Sequence, residues 1–151
     1  MTFFKLIHLL AVIIWVGGMF FAYMVLRPAA VDVLQPPERL RLWDNVFHRF
    51  FNWVWAAVGL ILVTGLYMIY LYGGMAHAPR FVHIMLVLGL VMAGIYGYVF
   101  FGCYVPFNLH VAKERWNEAG GILGRIRKLV GLNLTLGMII VCVAVAGAAL
   151  G

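Results

Sequence analysis

Four stretches of this chain are too long and too apolar to fold in water, and this excludes most of what a polypeptide of its size can become. They run over about residues 3–28, 50–73, 81–105 and 129–150. A hydrocarbon core of about 30 Å takes roughly 20 apolar residues at 1.5 Å each, so every stretch can cross as a helix. Lipid offers the backbone no hydrogen-bond partner, so such a segment must satisfy itself internally. Composition agrees: 66% of the 151 residues are hydrophobic and 11% are charged, against about 25% charged in a soluble domain. The expectation is an all-α integral membrane protein. It is one domain over residues 1–151, a bundle of four transmembrane helices with no soluble module attached. The lipid bilayer is its first partner.

The connections orient it. Arg27, Arg39, Arg41 and Arg49 flank the first, and Lys113, Arg115, Arg125, Arg127 and Lys128 the third, while the opposite side carries only Lys5 and Arg80. Positive charge stays cytoplasmic, which predicts an inner-membrane protein with both termini periplasmic. The first connection also carries a pattern. After Pro36 and Pro37, Leu40, Trp43, Phe47, Phe50 and Val54 recur at helical spacing, with Arg41, Asn45, His48, Arg49 and Asn52 on the other side. This predicts an amphipathic helix at the interface that runs into the second span. The third connection repeats the arrangement: Pro106 is expected to bend the third helix, and Gly120–Gly121 to stop its continuation.

Several classes drop out. The net charge of +6 is spread between apolar runs, with no cationic face for nucleic acid. Cys103 and Cys142 lie inside apolar runs without metal-type spacing. The first stretch is too long for a secretion signal and is read as a retained span. All five acids, Asp32, Glu38, Asp44, Glu114 and Glu118, fall in the basic connections. No catalytic triad, phosphate loop or carboxylate pair can be placed, and enzymatic activity is left open.

The ionisable groups within spans carry the functional reading, because a charged or titratable side chain in lipid needs a partner. His8 lies near the outer end of span one and His83 near the outer end of span three. Lys5 precedes the first by three residues and Arg80 the second by three, one turn closer to the surface. The two histidines are expected at matched depth. A haem b held edge-on between them would have two imidazole ligands, with its propionates on Lys5 and Arg80. Ala11, Trp15 and Gly18 would line one face of the porphyrin, and Val87, Gly94 and Gly97 the other. Such a site implies electron transfer or a membrane redox reaction with an unknown redox partner. His48 and His110, both toward the cytoplasmic side, are noted as a further pair.

Two alternatives stand beside this. Met75, His77, His83 and Met85 cluster around the outer turn, and thioether with imidazole suits cuprous ion, which makes a copper-binding or copper-transfer protein. The ordinary readings of these residues are a solvated His77 and apolar filler for the methionines. The other alternative is a cofactor-free accessory subunit. The amphipathic segments and glycine-lined faces (Gly89, Ala93 and Gly97 four apart) would then meet another membrane protein or a second copy of the chain.

LIHLLAVIIWVGGMFFAYMVLRPAA resembles the opening span of the copper-resistance CopD family, with its histidine, apolar run, Trp-Val-Gly-Gly and later Arg-Pro. The chain is also similar to the four-helix HemJ proteins, which are haem-associated. Lys5 and His8 match their first span, Arg49-Phe50 with Leu62-Val63-Thr64-Gly65 their second, and Phe81-Val82-His83 the start of their third. The resemblance covers most of the chain, strongly in span one and weakly in span four. It implies that His8 and His83 are cofactor residues. Met85 stands where the HemJ-type third span has a lysine, so protoporphyrinogen oxidation is not carried over.

Overall fold

Each apolar stretch becomes one helix, and each helix outlasts its stretch. The computed structural model describes residues 1–150, in which α1 spans Thr2–Val33, α2 Pro36–Leu71, α3 Arg80–Ala112 and α4 Trp116–Leu150. No strand occurs among the described residues. Leu34–Gln35 joins α1 to α2, a loop with a 3-10 turn at Met75–His77 joins α2 to α3, and Lys113–Arg115 joins α3 to α4. The bundle thus has a basic end, with the first and third connections, and a short-turn end, with the second. All four helices are long and apolar enough to cross a membrane. Their outward residues, among them Ile13, Val63, Val87 and Val145, are exposed and apolar, a surface that only lipid can cover.

The extra length comes from the amphipathic segments, and here the structure refines an expectation. The segment after Pro36 runs unbroken into the second span, as its pattern predicts. It is the beginning of α2, a single helix of 36 residues that is about 54 Å long at 1.5 Å per residue. Its apolar stripe was read correctly, but the stripe faces protein. Leu40, Trp43, Phe47 and Phe51 are buried. The Phe47 ring meets Tyr104 and Phe107 of α3 edge-on, with centroids 6.1 and 5.9 Å away.

The glycine stop is corrected. Gly120 and Gly121 lie inside α4, and Glu114 breaks the chain at φ 56°. A left-handed residue turns the chain wherever it falls, whereas glycine in a helix costs only about 1 kcal/mol. Pro106 does leave a mark, upstream: Val99–Tyr104 forms a π-helical turn before the helix resumes. Pro28 of α1 likewise follows a π turn, at Ala22–Leu26, and another occupies Ile13–Gly17. Such turns absorb residues that the ordinary helical ladder cannot accommodate.

α1 packs chiefly on α2, and α3 on α4. Aromatic groups tie the two pairs together, and an amide ties α3 to α4 within its pair. Trp15 of α1 sits edge-on to Tyr96 of α3, with centroids 6.2 Å apart. The Tyr96 hydroxyl donates to the Phe51 carbonyl of α2 at 3.1 Å. Asn133 of α4 donates to the Met92 carbonyl at 3.1 Å. Close approach of α4 depends on Gly137, where a Cβ would lie 2.9 Å from Val16 Cγ2 and 3.3 Å from Met92 Cε.

Interhelical hydrogen bonds in membranes are worth about 0.6 kcal/mol on average and about 1.7 at most, while overpacking costs about 1–3 kcal/mol. Gly137→Leu should therefore destabilise the bundle more than Tyr96→Phe does. Reversible unfolding in mixed micelles by dodecyl sulfate titration measures both.

Candidate functional site at the short-turn end

The imidazoles at this end share one arrangement. The His8 ring lies between α1 and α2, with Nδ1 2.9 Å from Thr64 Oγ1. The Thr64 hydroxyl spends its proton on the Leu60 carbonyl one turn back, so its oxygen accepts and His8 Nδ1 donates. His83 Nδ1 lies 3.1 Å from the Pro79 carbonyl, and His77 Nδ1 is 3.1 Å from the Gly73 carbonyl. A carbonyl can only accept, so both nitrogens donate. In each ring Nδ1 is thus the protonated nitrogen of the pair it forms, which in a neutral imidazole leaves the lone pair on Nε2. Fixing one ring nitrogen in this way sets the tautomer of a histidine that ligates a metal through the other.

Local sequence explains each placement. Thr64 is the only hydroxyl in the run from Trp53 to Leu66, and it is buried. Gly65 lets the ring lie close, since a Cβ there would sit 3.4 Å from His8 Cε1. Pro79 precedes the first residue of α3, so its carbonyl faces the first turn, where His83 reaches it.

The structure distributes the expected site residues unevenly. His8 sits level with Thr64, seven residues before the end of α2. His83 is three residues into α3. At 1.5 Å per residue these positions are about 10 Å from the end of α2 and about 4.5 Å from the start of α3. His8 finds its partner on α2. Lys5 and Arg80 are exposed. Trp15 is buried against Tyr96, and Gly18 is closed over by the Phe50 ring. Val87, by contrast, is 60% exposed, and a Cβ at Gly94 or Gly97 would meet nothing within 4 Å. The two intended porphyrin walls thus do not face a common slot: one is filled by protein and the other is open. The donor chemistry of His8 and His83 suits haem iron, and the walls do not fit it.

Met75 and His77 are exposed in the outer turn, with His83 and Met85 half-buried beyond it. Among the described residues no three His, Cys, Asp or Glu side chains converge as a metal site. At the other end His48 is exposed, and the buried Nδ1 of His110 has no partner. Thr64 and Gly65, named from sequence only within the second-span resemblance, are the neighbours that hold the His8 ring. A lone hydroxyl beside a small residue was the available signal.

The family model of Copper resistance protein D matches residues 44–147, most of the chain. The chain belongs to the CopD family. The match takes in α2 from Asp44, all of α3 and nearly all of α4, whereas by eye the resemblance was strongest in span one. No curated protein and no solved structure matches the chain. Membership and four apolar helices together make this a copper-resistance-related, multi-pass membrane protein.

The ring geometry is checked by nitrogen NMR of labelled histidine. His8 should show a protonated Nδ1 and an unprotonated Nε2. Thr64→Val should abolish that bias, and Thr64→Ser should keep it.

Proposed function

We propose that this CopD-family protein binds cuprous ion as cargo at its short-turn end, with His8 and His83 as imidazole donors through Nε2. Met75, His77 and Met85 are the further soft or borderline ligands within reach of the same turn. The observation that supports this best is the common tautomer: three imidazoles at one end, each with Nδ1 engaged and Nε2 free. Neutral imidazole and thioether together favour the soft cuprous ion over harder cations. A cuprous ion is content with two or three ligands, so it does not require the larger cluster of His, Cys, Asp and Glu that is missing here. In this reading the basic end faces the cytoplasm of the inner membrane and both termini face the periplasm, where copper arrives.

A second reading draws on the same two free nitrogens: haem b ligated by His8 and His83, with Lys5 and Arg80 toward its propionates. Haem there would supply one-electron chemistry. It requires α1 and α3 to open a slot at this end.

One preparation in mild detergent separates the readings. Titration of cuprous ion against a chromogenic chelator should give about one ion per chain. His8→Ala and His83→Ala should each weaken binding at least about tenfold, and Thr64→Val about tenfold, the lower part of the range for a residue that orients a ligand. Copper binding unchanged by His83→Ala with Met85→Leu would remove this site. A Soret band with a reduced α-band at one haem per chain would install the second reading. A colourless, copper-free protein bound to a larger membrane complex would instead mark a cofactor-free subunit.

A further inference from the structure

A second feature lies at the opposite end from the histidines. A cavity of about 310 Å³ opens between α1, α2 and α4 at the basic end, within the volume range of small-ligand sites. Its rim and its floor differ in chemistry. Arg27, Arg39 and Arg127, one from each of the three helices, line it together with no acidic residue. Among the described residues the single ion pair is Arg41 with Glu114, at 3.3 Å, and Arg41 is not part of the lining. The three rim guanidiniums therefore have no carboxylate within ion-pair distance. The floor is apolar, formed by Leu40, Phe47 and Val130. Tyr23, Trp43 and Trp116 stand among these groups, and amphipathic aromatic residues of this kind sit at headgroup level in membranes.

We propose that this cavity is a binding site for one anionic phospholipid, with the phosphodiester among Arg27, Arg39 and Arg127 and the start of an acyl chain on the apolar floor. Three points favour it. Guanidinium matches phosphate oxygens with two parallel hydrogen bonds. A free anion would leave the apolar floor uncovered, whereas an acyl chain covers it. The cavity also lies at the basic end, lined by Tyr23, Trp43 and Trp116, residues of the kind found at headgroup level, where a lipid could enter from its own leaflet. Basic pockets between transmembrane helices recognise anionic headgroups by this charge logic. A bound lipid would bridge α1, α2 and α4 at the end where only Leu34–Gln35 ties α1 to α2.

The probe is an equal mixture of dioleoyl phosphatidylglycerol and dioleoyl phosphatidylcholine added to the full-length protein in detergent, read by native mass spectrometry. The expected result is one retained phosphatidylglycerol per chain, preferred at least about tenfold. Replacing Arg27, Arg39 and Arg127 with Gln should bring the two lipids to parity. Arg125→Gln with Lys128→Gln, which changes neighbouring charges outside the lining, should leave the preference intact. Millimolar inorganic phosphate should not displace the lipid. If circular dichroism shows the triple variant unfolded, Arg39→Gln and Arg127→Gln singly should each reduce the preference about fivefold, the scale expected for one basic residue at a membrane surface. Parity in the wild-type protein, an equal loss in the Arg125/Lys128 control, no loss in the single variants, or full displacement by phosphate would each overturn the proposal.

Discussion

A hydrocarbon solvent accepts no hydrogen bonds, and nearly every feature of this protein answers that constraint. It forces the four apolar stretches into helices. It gives no hydrophobic force to press those helices together, so association falls to packing and to the few polar groups inside. Those groups are used sparingly and all reach across helices: Tyr96 to the Phe51 carbonyl, Asn133 to the Met92 carbonyl, His8 to Thr64. Each bond pairs a polar group that lipid would leave stranded, and in doing so fixes which helix stands beside which.

The same constraint explains what could be read in advance. The four helices and the membrane setting were legible because 20 consecutive apolar residues have few other uses. The stripe Leu40, Trp43, Phe47 was legible as a stripe, but periodicity cannot say whether a buried face meets lipid headgroups or another helix, and here it meets α3. The stop at Glu114 was invisible because a single left-handed residue leaves no compositional trace, while Gly120–Gly121 looked like a signal and is not one.

The candidate site was half legible. Sequence singled out His8, His83 and the cations that precede them, since an ionisable group in a span stands out. It could not say which neighbour each would meet, because the pairing of His8 with Thr64 exists only once α1 and α2 are side by side. The arginine-rimmed cavity was likewise beyond one-dimensional reading. Arg27, Arg39 and Arg127 looked like orientation signals in separate connections, and only the fold collects them.

The π turn at Ile13–Gly17 has a bearing on how α1 can vary in length. A wider turn is what remains when a helix takes in one residue more than its ladder can hold. Everything beyond it is rotated relative to everything before it, so His8 and Gly18 do not keep the angular relation that counting at 3.6 residues per turn would assign. Losing one residue inside the turn would restore a regular ladder but turn the two halves of the helix against each other, either His8 away from Thr64 or Trp15 away from Tyr96. The length of this segment, more than the identity of any one residue in it, is therefore what holds the histidine-bearing half of the helix and its packing half in phase.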